Sequence, residues 1–119
     1  MPNQYGAPEI TVKSVEEKLK SKDVFFIADV REDNEIARVS LPLENVVKMP
    51  LSSLSRKGPD AIPETLADTE KEIVVMCHHG VRSAQVTAWL ISQGWKNVKS
   101  MMGGINAYAM EVDSSIGRY

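Results

Sequence analysis

The stretch Ile73-Val74-Val75-Met76-Cys77-His78-His79-Gly80-Val81-Arg82-Ser83 decides how this chain reads. Its first four residues are apolar without polar alternation, the pattern of a strand covered on both faces. The turn that follows leads into a helix predicted to begin near Ser83. Val81, Ala84, Ala88 and Ile91 recur at helical spacing and are expected on its apolar face. A strand passing straight into a helix puts Cys77 where backbone N–H groups converge into an anion cradle. The helix N-terminus and Arg82 add positive potential. All three effects favour thiolate over thiol, so Cys77 is the candidate nucleophile. It is also the only cysteine in the sequence. It has no resolving partner, and whatever sulfur or oxidation product it carries must pass to another molecule.

Working outward, residues 24–28 form a second continuous apolar run and a second buried strand, ending in the polar Asp29-Val30-Arg31-Glu32. Ile10-Thr11-Val12 predicts a short strand. Ser14-Val15-Glu16-Glu17 fits a capping box, which predicts a helix from Ser14 to Lys20. A short helix is expected over 34–38, a weak strand at Val46-Val47, and helical turns near 51–54 and 64–66. Gly94 suits the position after a helix C-cap, with Trp95 closing against Leu90. Residues 98–101 read as a strand, Gly103-Gly104 as a turn and 105–112 as the last helix. Strands alternating with helices predict an α/β fold with a parallel sheet covered on both faces. In such sheets ligands bind beyond the carboxyl ends of the strands. Asp29-Val30-Arg31 and Cys77-His78-His79-Gly80-Val81-Arg82 both fall there, so the two motifs can meet.

Bulk properties narrow the options. With 119 residues, 43% of them apolar and 25% charged, the chain suits one globular domain. The expected division is a flexible lead over 1–8, a domain over 9–112 and a tail over 113–119. A net charge of -2 gives no basic field for nucleic acid or an anionic membrane surface. No apolar run approaches the roughly 20 residues needed to span a bilayer. The first residues lack the blocks of a secretory signal. The expected location is the cytoplasm, with an organelle left open if a targeting segment has been removed.

Taken together, Val74 to Ser83 resembles the active-site loop of single-domain rhodaneses, with its Cys-x-x-Gly-x-Arg-Ser pattern. Ile27-Ala28-Asp29-Val30-Arg31-Glu32 resembles that family's Asp-Val-Arg signature. Gly94-Trp95-Lys96-Asn97-Val98, then Met102-Gly103-Gly104-Ile105-Asn106-Ala107-Tyr108, resembles its last strand and Gly-Gly helix. The likeness runs over residues 9–112. It implies a three-layer α/β/α fold with a mainly parallel five-stranded sheet. It also implies a thiosulfate sulfurtransferase that holds a sulfane sulfur as a persulfide on Cys77, with no other cofactor and no metal. The donor would be thiosulfate or a persulfide, and the acceptor cyanide or a thiol. His78, His79, Gly80, Val81, Arg82 and Ser83 would form the anion-binding loop, with Arg82 anchoring the loop or the departing anion. Asp29 and Arg31 would support the loop from beneath. A sulfur-donor or sulfur-acceptor protein is the other partner implied. The family often carries a Gly-His-Ile step after its Asp-Val-Arg, and Glu35-Ile36-Ala37-Arg38 departs from it. Residues 111–119 are similar to the ends of rhodanese domains fused behind sulfur-carrier-activating enzymes, where the persulfide serves cofactor or tRNA thiolation.

Other chemistries fit less well. Cys77, His78 and His79 are adjacent, and three successive residues rarely converge on one tetrahedral zinc. Neither histidine is needed as a base for a thiolate, although one could carry charge at the pocket mouth. Cysteine phosphatases and arsenate reductases use Cys-x5-Arg loops, and the Cys-x4-Arg loop here makes a tighter cradle, suited to sulfur more than to tetrahedral phosphate. A silent binding module would usually have lost the cysteine. A relay active only when docked to a partner also stays open.

Overall fold

The structure is a computed structural model that describes residues 5–119. Five strands alternate with five α-helices. These are β1 (Glu9–Ile10), α1 (Val12–Lys20), β2 (Phe26–Asp29), α2 (Asp33–Ile36), β3 (Val46–Lys48), α3 (Leu51–Lys57), β4 (Ile73–Met76), α4 (Val81–Ser92), β5 (Val98–Met101) and α5 (Gly104–Glu111). Short 3₁₀ turns follow α3, precede β4 and follow α5. The strands form one sheet in the order β1-β5-β4-β2-β3, and every pairing is parallel.

Strand β4 lies at the centre, and the period of two along it divides the core. Val74 and Met76 point into a layer shared with Val12 and Val15 of α1 and Ile105 and Tyr108 of α5. Ile73, Val75 and Cys77 point the other way, toward Leu54 of α3 and Val86 and Leu90 of α4. All four residues of β4 are buried, each side chain stabilising the fold by roughly 1.5–3 kcal/mol. This explains the absence of polar alternation and confirms the three-layer α/β/α arrangement.

Three local expectations change. Strand β1 stops at Ile10, so Thr11 and Val12 leave the sheet. Helix α1 starts two residues before Ser14 and is capped by Thr11, whose Oγ1 accepts the Ser14 N–H at 3.1 Å. The earlier start carries Val12, almost fully buried, into the core. Helix α4 begins at Val81 and turns a different face inward. Ser83, Ala84, Val86, Thr87 and Leu90 are buried, whereas Val81 and Ile91 are exposed. The reason lies in the loop: Ser83 has to face the Cys77 sulfur, and that fixes the rotation of the helix. The C-terminal end of α4 forms as expected. Gly94 has φ 107°, its N–H reaches the Ile91 carbonyl, and the Trp95 N–H reaches Leu90, a Schellman ending.

At the ends of the chain, Ala7 is buried and the Pro8 carbonyl accepts the Ser100 N–H, so the described part of the lead is joined to the sheet. Residues 1–4 lie outside the described residues. After α5 the chain turns back, and Tyr119 lies against the loop that carries Cys77.

Candidate active site

Cys77 is the first residue after β4, 1% exposed at the carboxyl edge of the sheet. Its Sγ receives the N–H of Gly80 at 3.1 Å and of Ser83 at 3.3 Å, and lies 3.4 Å from the Ser83 hydroxyl. The loop bends back tightly enough to do this because Gly80 adopts φ 102°, open to glycine but not to a side chain without strain. A Cβ on Gly80 would also sit 3.0 Å from the Gly103 nitrogen. The N–H groups of His78, His79, Val81 and Arg82 make no hydrogen bond among the described residues. They remain available for an anion at the start of α4. A groove of about 360 Å³ beside the loop is lined by His79, Gly80, Val81, Met102 and Gly103, among others.

A second helix holds the loop from behind. The N–H groups of Ile105 and Asn106, in the first turn of α5, reach the carbonyls of Cys77 and His78 at 2.8 and 3.1 Å. Such an approach needs Gly104. A Cβ there would fall 2.5 Å from the Cys77 carbonyl oxygen, and φ is +63°. The Gly-Gly step read as a turn is therefore the point where α5 meets the nucleophile loop.

Arg82 does not point a free guanidinium into the cradle. It forms a two-pronged pair with Glu35 on α2, at 2.6 and 2.8 Å. Glu35 is filled on every side, because it also accepts the N–H of Glu32 and the hydroxyl of Tyr119. The hydrogen bonds from Arg82 hold the Glu35 carboxyl down to about 2, and Glu35 in turn raises the Arg82 pKa. The expectation that Arg82 adds positive potential to the cradle is thus corrected: Glu35 offsets the arginine charge. Burial of the His78 ring, then the neighbouring His79, lowers its pKa below the usual imidazole value and so disfavours a charge there. The field at the sulfur comes chiefly from backbone N–H groups and the N-terminus of α4.

Asp29 and Arg31 meet each other before anything else. Both are buried, and their side chains pair at 2.9 and 2.7 Å. The remaining Arg31 nitrogen donates to the Val39 carbonyl at 2.8 Å and to the Tyr119 hydroxyl at 3.2 Å. The pair braces the 32–39 connection that carries Glu35, and its support reaches the loop through Glu35 and Arg82.

Three contributors were not singled out from the sequence. Glu35 stood only in the connection that lacks the family's Gly-His step, and its spacing from Glu32 was the available signal. Tyr119 stacks on His78 with ring centres 3.8 Å apart and 7° between planes. Ser100 on β5 lies 2.7 Å from the Ser83 hydroxyl. Nothing local marks the last two, because both reach the loop only through the fold.

A model of the rhodanese-like domain matches residues 11–111. The chain belongs to the rhodanese-like domain family. It is 40% identical over 114 residues to the chloroplastic rhodanese-like/PpiC domain-containing protein 12 of Arabidopsis thaliana, covering 93% of this chain but 37% of that protein. A protein of Allochromatium vinosum named sulfurtransferase is 29% identical over 101 residues, covering 85% of this chain and 87% of that one. The crystal structure of a rhodanese-related protein from Thermoplasma volcanium matches with a TM-score of 0.67 at 28% identity, over 88% and 93% of the two chains. Among the described residues of this rhodanese-like domain, no helix is long and apolar enough to cross a membrane.

Proposed function

We propose that this domain is a sulfurtransferase whose Cys77 alternates between thiolate and persulfide. The Cys77 thiolate attacks the outer sulfur of thiosulfate, forms the S–S bond of the persulfide and releases sulfite with the bonding pair. An acceptor such as cyanide or a thiolate then attacks the outer persulfide sulfur and returns the electron pair to Cys77 as thiolate. Charge balances in both steps, and neither needs a metal or a redox cofactor.

One observation carries this reading. The sulfur is held by two N–H donors inside a loop whose N–H groups at His78, His79, Val81 and Arg82 are unengaged among the described residues. Such a cradle stabilises an anionic sulfur and a departing sulfite alike. Arg82 acts as the anchor of the loop, because its charge is already committed to Glu35. That same commitment weighs against a phosphatase, which would need the guanidinium for the phosphate dianion. The names of the relatives agree with sulfur transfer. Since Cys77 is almost fully covered, a donor or acceptor protein would have to reach it with an extended segment.

Intact-mass measurement after thiosulfate treatment tests the proposal. The expected result is the gain of one sulfur atom, reversed by cyanide and absent in Cys77→Ser. An unchanged mass together with hydrolysis of a phosphate ester would overturn it in favour of the phosphatase.

A further inference from the structure

Beneath Cys77 lie two hydroxyls that no charged group accounts for. Ser83 and Ser100 are both completely buried. Their oxygens are 2.7 Å apart, and either can be the donor. Ser83 Oγ also lies 3.4 Å from the Cys77 sulfur. Ser100 Oγ makes no other hydrogen bond among the described residues.

The two hydroxyl protons can run in either direction, and the directions are not equivalent. When Cys77 is a thiol, its S–H can donate to Ser83 and Ser83 to Ser100. The Ser100 proton then has no acceptor. When Cys77 is a thiolate, Ser100 donates to Ser83 and Ser83 to the sulfur, and every buried hydroxyl proton is placed. A buried donor without an acceptor is costly, and a hydrogen bond to a charged atom is stronger than a neutral one. Two bonds in series also polarise one another.

We infer that Ser100 is a positioning residue, which acts through Ser83 to aim a hydroxyl at the Cys77 sulfur and favour its anionic form. The inference rests on Cys77 reacting as a thiolate. Ser100 sits on β5, 23 positions along the chain from the nucleophile. The charged and titratable groups around the sulfur are untouched by changing it. These are Arg82 and the two histidines of the loop, Glu35 of α2, Asp29 and Arg31 from β2 and its end, Tyr119, and Glu9 of β1 and Tyr5, which line the groove beside the loop. From α5 the backbone N–H groups of Ile105 and Asn106 bind the loop carbonyls.

The test is the pH dependence of Cys77 alkylation by iodoacetamide. Ser83→Ala is expected to move the midpoint up by about one pH unit, roughly tenfold less thiolate below the midpoint. Ser100→Ala should move it up by roughly half a unit, about threefold. Ser100→Thr, which keeps the hydroxyl, should restore it. The double variant should match Ser83→Ala alone, because Ser100 has no route to the sulfur except Ser83. Thermal unfolding of each variant is recorded alongside. A Ser100→Ala protein that melts lower but keeps the wild-type alkylation midpoint would overturn the inference, as would additive effects in the double variant. Failure of the wild type to gain sulfur from thiosulfate would instead count against the proposed activity, since alkylation does not depend on sulfur transfer.

Discussion

Replacing Glu35 by glutamine keeps the shape of the side chain and removes the charge that Arg82 depends on. The Glu35 carboxyl is lowered from 4.5 to about 2 by its two short bonds from Arg82. A gap of roughly 2.5 units at about 1.4 kcal/mol per unit corresponds to about 3 kcal/mol. The side chains keep 18% and 30% exposure, so water screens part of this, and about 2 kcal/mol is the expected contribution. A depressed carboxyl stabilises the fold above its unfolded value, here about 4.5, and that contribution disappears as pH falls through about 2. Wild-type stability should therefore drop by about 2 kcal/mol between pH 5 and pH 2 beyond what Glu35→Gln loses. Near neutral pH the variant should already be weaker by a similar amount. Urea unfolding at several pH values in that window measures both. Parallel curves for the two proteins from pH 5 to pH 2 would refute the view that this pair anchors the loop.

Three further outcomes follow from the same network. Asp29→Asn leaves the fully buried Arg31 without its counter-charge and should cost on the order of 3–5 kcal/mol, read by denaturant unfolding. Gly104→Ala forces a Cβ against the carbonyls of Cys77 and His78 at a left-handed φ. It should cost on the order of 3 kcal/mol in unfolding and abolish sulfur loading by intact mass. Tyr119→Phe keeps the stack on His78 but loses the bonds to Glu35 and Arg31, for about 1 kcal/mol in thermal unfolding. An alkylation rate of Cys77 equal to wild type would show that the hydroxyl serves the anchor and not the sulfur.

The buried strand β4, the loop that follows it and the helix after that were legible because their signals are local. Four apolar residues in a row, a glycine able to take φ 102° and a helix N-terminus all lie within a dozen positions. The inward face of α4 was not legible from apolar spacing. The face follows from Ser83, which meets the Cys77 sulfur, with Val86 and Leu90 packed inward on the same side, while Val81 stays outside at 54% exposure. Helix α1 shows the same limit on a smaller scale, since Thr11 and Ser14 are both competent caps and burial of Val12 decides between them.

The α/β alternation, the central strand and the place of Cys77 at the edge of the sheet were legible in the residues alone, because they follow from short-range pattern and backbone geometry. That pattern also brought Asp29 and Arg31 to the same edge as the cysteine. What surrounds the sulfur depends on contacts made across the fold. Glu35 neutralises Arg82 from 47 positions away, Tyr119 covers His78 from 41 positions beyond it, and Ser100 reaches Ser83 across the sheet. Charge and hydrogen bonds act over a few ångströms of space, and sequence spacing does not measure that distance.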